Sequence, residues 1–240
     1  MIEAVTLDYW DTLYPSANLP ERIAHRQRAI TKLLGAYGLD LPDEQVKRLY
    51  KAAAREAERW WRDERRGYTT AERLRWLLTR AGATPRERCE HVDAACEAID
   101  EALLRFPPPL LPGAADAVRA LAERFSLAII SDTGFGSGRA QDALLERDGL
   151  RRHFTATVYS MDIGHAKPHP APFRAAVSAV RASSPSRVVH VGDNERTDVG
   201  GALASGLRAI RFDAVWQNGA SAGEFVARSF DDLVKYISAM

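Results

Sequence analysis

The sequence lacks most of what marks a secreted, membrane or nucleic-acid-binding chain. No apolar run approaches the roughly 18 residues needed to cross a bilayer. Nor is there a leader layout, because Ile2 to Leu7 already read as a strand entering a motif. Export is not expected, and a cytoplasmic location is. Basic and acidic residues nearly cancel, leaving a formal net charge of +1, so no global field favours nucleic acid or a membrane surface. Cysteine is scarce: Cys89 and Cys96 are the two, in a stretch with a helical pattern. They fall about two turns apart, too far for a disulfide. Without His or Cys partners at short spacing they make no zinc site. We read them as two small buried hydrophobes in a reducing compartment. Internal repeats and low-complexity tracts are absent too, and nothing in the sequence speaks to oligomeric state.

What is present is ordinary globular material: 240 residues, 46% hydrophobic and 27% charged, enough to bury a real core. Short apolar runs rich in β-branched residues precede Asp8, Ser131 and Gly192, and a fourth spans Arg208 to Phe212. Thr155 to Tyr159 is a weaker fifth. Runs of this kind fit strands buried on both faces of a parallel sheet. Helical patterns alternate with them, at Ala114–Arg124, Arg139–Asp148, Pro170–Arg181 and Val199–Ser205, which predicts a doubly wound α/β domain. Between about Pro20 and Phe106 the alternation stops. Only charged helical stretches remain there, at Glu21–Tyr37, Asp43–Arg65, Thr70–Ala81 and Pro85–Arg105. The Pro107-Pro108-Pro109 run closes the region as a stiff hinge. The predicted architecture is a three-layer, Rossmann-like core of residues 1–15 and 108–240 with an inserted α-helical cap, residues 16–107.

In open α/β sheets, ligands bind beyond the carboxyl ends of the strands. The polar residues following each predicted strand should therefore converge: Asp8, then Ser131-Asp132-Thr133, then Gly192-Asp193-Asn194, with Lys167-Pro168 after the weak strand. A nucleophilic carboxylate and a second carboxylate can hold a divalent cation, while a lysine and a hydroxyl can bind anionic oxygens.

These residues resemble the haloacid dehalogenase superfamily, whose members are mostly phosphatases. Four segments carry the likeness, in the family's order: Leu7-Asp8-Tyr9-Trp10-Asp11-Thr12-Leu13, Ile130-Ser131-Asp132-Thr133, Gly164-His165-Ala166-Lys167-Pro168, and Val191-Gly192-Asp193-Asn194 with Asp198. The chain also looks like the subgroup whose helical cap follows the first strand. The resemblance implies Mg²⁺-dependent hydrolysis of a small phosphorylated metabolite through an aspartyl-phosphate on Asp8. Ser131 and the amides of Asp132 and Thr133 would hold the phosphoryl oxygens, and Lys167 would neutralise charge. Asp8, Asp193 and the main-chain carbonyl of Trp10 would ligate the metal, with Asp198 as an auxiliary ligand. Trp10 would also border the substrate.

One position departs from the family. Its phosphatases carry a second aspartate two residues after the nucleophile, and here that residue is Trp10. An indole cannot protonate a leaving alkoxide, and loss of a general acid costs about 10² to 10⁴ in rate. Asp11 either stands in as the acid or, the reading its displaced position favours, hydrogen-bonds locally in the turn. The alternatives to phosphatase activity are dehalogenation, which needs no leaving-group proton, and binding without turnover. The metal carboxylate Asp193 weighs against dehalogenation. The glycine-rich Gly134–Gly138 stretch reads as a strand-to-helix loop without the dinucleotide fingerprint. His190 reads as a core histidine, and His165 and His169 as loop residues. In the cap, Trp60, Trp61 and Trp76 with Arg62, Arg65 and Arg66 could form a lid, though helix packing and a solvated face account for such residues more simply.

Overall fold

The first strand, β1 (Ala4–Leu7), has four consecutive buried residues, as a strand covered on both faces must. In the computed structural model, which describes residues 1–16, 19–216 and 219–240, β1 lies at the centre of a parallel sheet. Its neighbours are β2 (Ser126–Ser131) and β4 (Val188–Gly192). The full order is β3-β2-β1-β4-β5-β6, with β3 at Ala156–Tyr159, β5 at Arg208–Phe212 and β6 at Phe225–Ala227. Every pairing is parallel, so the strand ends collect on one rim.

Successive residues on a strand face opposite ways, and the buried clusters follow that rule. Val5, Leu7, Ile129 and Val191 belong to one face, covered by α5 (Ala114–Ala122), α6 (Gly138–Arg147) and α10 (Phe230–Ser238). Ala4, Ala128, Ile130 and Val188 belong to the other, covered by α8 (Pro170–Ala179) and α9 (Gly200–Ala204). This is the expected three-layer core. A short helix, α7 (Ser160–Ile163), follows β3.

The region between β1 and α5 holds four helices and no strand among the described residues: α1 (Pro20–Ala36), α2 (Asp43–Arg62), α3 (Thr70–Arg80) and α4 (Glu90–Arg105). They build a hydrophobic cluster of their own, into which Phe135 of the sheet side inserts. Pro20 sits at the first position of α1 and a Thr69/Glu72 capping box starts α3, both ordinary start signals. We retain 16–107 as the proposed cap; its residues 17 and 18 lie outside the described residues.

Several bounds shift from the sequence expectation. The second cap helix stops at Arg62, where Arg65 takes a positive φ of 52°. The fourth begins at Glu90, with Cys89 as its N-cap. Both cysteines are free and only half-buried, more exposed than expected. The π-helical turn Glu195–Val199 precedes α9. Strand β6 and helix α10 were not foreseen. Among the described residues no helix is long and apolar enough to cross a membrane.

Candidate active site

Asp8 continues β1 by one residue, its amide donating to the Val191 carbonyl at 2.8 Å. That bond fixes the carboxylate at the rim, 6% exposed, on the floor of a cleft of about 380 Å³. Lys167 enters from the loop after α7. Its ammonium donates to Asp8 Oδ1 at 2.5 Å, to Asp198 Oδ1 at 2.6 Å and to the Ile130 carbonyl at 3.1 Å. All three donors of the ammonium are thus used, and it is buried at 2% exposure.

Asp198 is the hub behind this pair. Its Oδ1 also lies 3.1 Å from His190 Nε2, whose Nδ1 is 2.9 Å from Thr6 Oγ1. Its Oδ2 accepts from the Asn194 amide at 3.1 Å and the Thr197 hydroxyl at 3.3 Å. Each oxygen therefore already has two partners. The close approach requires Gly192, where a Cβ would meet Asp198 Cγ at 2.4 Å.

The charges set the ionisation. Burial pushes Asp8 well above the usual carboxylate range, against the pull of Lys167 and with the repulsion of Asp198 and Asp193 adding to it. Burial and Asp198 raise Asp193 to about 7. Burial opposes ionisation of Asp198 as well, but Lys167 and His190 outweigh it and hold that carboxyl low. Lys167 is desolvated too, yet Asp198, Asp8 and Asp132 keep its pKa above the ordinary lysine value. Burial holds His190 below the usual imidazole range.

The predicted residues Asp8, Trp10, Asp132, Thr133, Lys167, Asp193 and Asp198 all line this one cleft. Ser131 does not. It lies on the opposite face of β2, and its hydroxyl donates to Gln141 Oε1 at 2.8 Å, while Gln141 Nε2 donates to the Thr133 carbonyl at 3.2 Å. The Thr133 amide donates to Ser160 Oγ at 3.1 Å. Asp132 spans two parts of the chain: Oδ1 accepts from the Lys167 amide at 3.1 Å and Oδ2 from the Trp61 indole at 2.7 Å. Trp61 thus reaches the rim, while its neighbour Trp60 is buried under the Arg66 guanidinium. Just beyond α2, Gly67 donates to the Gly164 carbonyl at 3.1 Å and Ala166 to the Arg65 carbonyl at 2.9 Å, tying the cap side to the Lys167 loop.

Trp10 is half-buried and packs edge-on against Tyr9, ring centroids 4.9 Å apart. Asp11, at φ 56°, borders the same cleft, but both its oxygens are engaged locally: they accept from the Ser16 amide at 2.8 Å and hydroxyl at 2.6 Å. It is a local turn residue, as its displaced position favoured.

A family model for haloacid dehalogenase-like hydrolases matches residues 2–206. The chain belongs to that family. The glyceraldehyde 3-phosphate phosphatase of Methanopyrus kandleri is 31% identical over 223 residues, 88% of this hydrolase and 84% of that one. Among solved structures, magnesium-bound YfnB of Bacillus subtilis covers 98% of both chains at 20% identity and a TM-score of 0.61. The 2-haloacid dehalogenase of Pseudomonas syringae pv. Tomato DC3000 covers 100% of this chain and 99% of its own, at 24% identity and a TM-score of 0.69. Both structural likenesses speak to the fold.

The donor set of this hydrolase fits a hard divalent cation. Oxygens of Asp8, Asp193 and Asp198 lie within 4.8 Å of one another, and since both Asp198 oxygens are already engaged, Asp8 and Asp193 are the open ligands rather than the expected auxiliary Asp198. Three carboxylates face one ammonium, an excess of negative charge that oxygen-seeking Mg²⁺ matches. Among the described residues no main-chain amide donates to the Trp10 carbonyl. His165 and His169 stack on each other at 3.8 Å and stand outside the acidic group.

Sequence reasoning missed two groups of residues near the cleft. Gln141 and Ser160 hold the loop after β2, and nothing local in the sequence marks them. Arg22, Arg26 and Arg73 left a readable signal: each sits on the apolar stripe of its helix, where a charge is out of place.

Proposed function

We propose that this hydrolase is a Mg²⁺-dependent phosphatase of small organic phosphates, with Asp8 as nucleophile. One observation carries the reading: the Asp8 carboxylate is fixed on the cleft floor by Lys167, at 2.5 Å, beside the Asp193 and Asp198 carboxylates. Asp8, Asp193 and the Trp10 carbonyl would hold Mg²⁺, which when bound would neutralise phosphoryl oxygens and the carboxylates around it. Asp198, its oxygens already engaged, would act by holding Lys167. The phosphatase name of the Methanopyrus relative and the magnesium in YfnB support this assignment.

In the first step an Asp8 oxygen forms a bond to phosphorus while the ester P–O bond breaks and its electron pair leaves with the alcohol oxygen. In the second, water attacks phosphorus while the bond from phosphorus to the Asp8 oxygen breaks, returning Asp8 as a carboxylate, and the water protons leave on the released phosphate and to solvent. Lys167 stays protonated throughout and offsets the charge on the transferred group, a task of positioning and electrostatics. Thr133 would present its hydroxyl to the phosphoryl oxygens from the loop that Gln141 and Ser160 pin. Ser131, bonded to Gln141, would act through that loop. Trp10 supplies no proton, so the first step favours leaving groups that depart as anions.

Steady-state turnover of an aryl phosphate tests the reading. Activity should need Mg²⁺, vanish with chelator and fall by about 10⁴-fold or more in Asp8→Asn. Activity indifferent to both would refute it. One observation favours a second reading: with Trp10 at the acid position, the cleft is also compatible with dehalogenation. Metal-independent halide release from a 2-haloacid would establish that reading instead.

A further inference from the structure

Beside the cleft, and sharing Trp10, Tyr68 and Thr133 with it, lies a cavity of about 340 Å³, a size typical of small-ligand sites. Arg22 and Arg26 of α1 and Arg73 of α3 line it. They are only 1%, 6% and 6% exposed. Arg22 and Arg26 stand in line with Ile30 and Leu33 on the buried stripe of α1, and Arg73 with Leu74 and Leu77 on that of α3. An apolar side chain would serve packing at such positions without the desolvation cost of a guanidinium.

Arg22 is partly accounted for, since it donates to the Phe106 carbonyl at 2.8 Å. Arg73 is not. Its Nε has no hydrogen-bond partner among the described residues, and its guanidinium lies 3.7 Å from the centre of the Phe135 ring. The ionisable groups around it are Tyr68, Tyr50 and a second cation, Arg26. Burial pushes the Arg73 guanidinium down to about 10, still charged at neutral pH. The cavity's one lining carboxylate among the described residues, Glu58, is exposed and lies 3.9 Å from Arg62.

We propose that this cavity binds a second anionic group of the substrate, a carboxylate or a second phosphate, while the reacting phosphate sits at Asp8. The substrate class is then a phosphate ester carrying an acid at its far end. This rests on the phosphatase reading above and narrows it. The planar guanidinium fork suits either oxyanion, and Phe135, with its ring centre 3.7 Å from the Arg73 guanidinium carbon, backs it from one side.

Equilibrium binding to the Asp8→Asn protein in Mg²⁺ separates the possibilities. The probes are 3-phosphoglycerate, glyceraldehyde 3-phosphate and a glycerol bisphosphate, which differ in the group remote from the phosphate. The acid-bearing probes should bind about 10- to 100-fold tighter than the aldehyde. Whichever gains more identifies carboxylate or phosphate as the preferred anion. Adding Arg73→Gln should bring the affinities to within about threefold of each other, and Arg73→Lys should keep part of the preference. Equal affinity of all three probes for the Asp8→Asn protein overturns the proposal, with no arginine variant required. Mg²⁺-dependent hydrolysis of glyceraldehyde 3-phosphate by the unaltered protein, together with equal affinities, would spare the phosphatase reading and reject the second site. A binding preference in a protein that hydrolyses none of them would do the reverse.

Discussion

The cleft floor and the cavity beside it carry opposite charge and treat it differently. At the strand ends Lys167 answers Asp8 and Asp198, and Asp198 also pairs with His190 and accepts from the Asn194 amide. In the cavity Arg73 stacks on an aromatic ring beside Arg26, with no carboxylate drawn to it among the described residues. The floor is a network with surplus negative charge; the cavity wall is positive, and among the described residues its Arg73 has no carboxylate partner. Buried charge is costly unless paired, so the first asymmetry points to a cation and the second to an anion.

Three changes would break or sharpen that contrast. The largest effect should come from Asp198→Ala, which strips Lys167 and His190 of a shared partner. Removing one member of a buried pair typically costs about 3 to 5 kcal/mol, so urea unfolding should show a loss of that size. A loss under about 1 kcal/mol would mean the floor is not the network described here.

Trp10→Asp comes next. A carboxyl at this position restores a proton donor, and kcat on an alkyl phosphate should rise by about 10²-fold while an aryl phosphate gains little. No gain would show that Trp10 has its own task, such as walling the cleft.

The smallest effect is on Asp193. Its carboxyl titrates at about 7 in the fold, above the ordinary value near 4. Proton binding at this site therefore stabilises the fold fully below about pH 4, and that stabilisation is lost as pH rises through 7. In chelator, Asp193→Asn should be the more stable protein at pH 8, by about 1 to 2 kcal/mol because the group keeps partial contact with water. The advantage should fade toward pH 4. Added Mg²⁺ should raise the melting temperature of the unaltered protein and not of the variant. A pH-independent difference would contradict the crowding of carboxylates on the floor.

The contrast also explains what could be read from the sequence. Strand-end residues were legible because a parallel strand is a continuous apolar run and its first polar residue marks the rim; Asp8 and Asp193 follow directly. The helices between Pro20 and Phe106 were legible from their periodicity. Ser131 was not, because the pleat sends alternate residues to opposite faces and the sequence does not say which face holds the ligand. Arg22, Arg26 and Arg73 were visible only as charges on apolar stripes. Their meeting depends on how α1 and α3 each pack against α4, which no local pattern encodes. Strand β6 has three residues, too few to stand out. The helix α10 could have been found, since Ser229 caps it and Phe230, Leu233 and Ile237 recur at helical spacing.

The central claim is that the Asp8 carboxylate forms a bond to phosphorus. Acid quenching during turnover of an aryl phosphate in Mg²⁺, followed by peptide mass analysis, tests it most directly. The account predicts an adduct of one phosphoryl group on the peptide containing Asp8, absent in chelator and in Asp8→Asn. Sustained phosphate release with that peptide unmodified, or with the adduct on another residue, would contradict it.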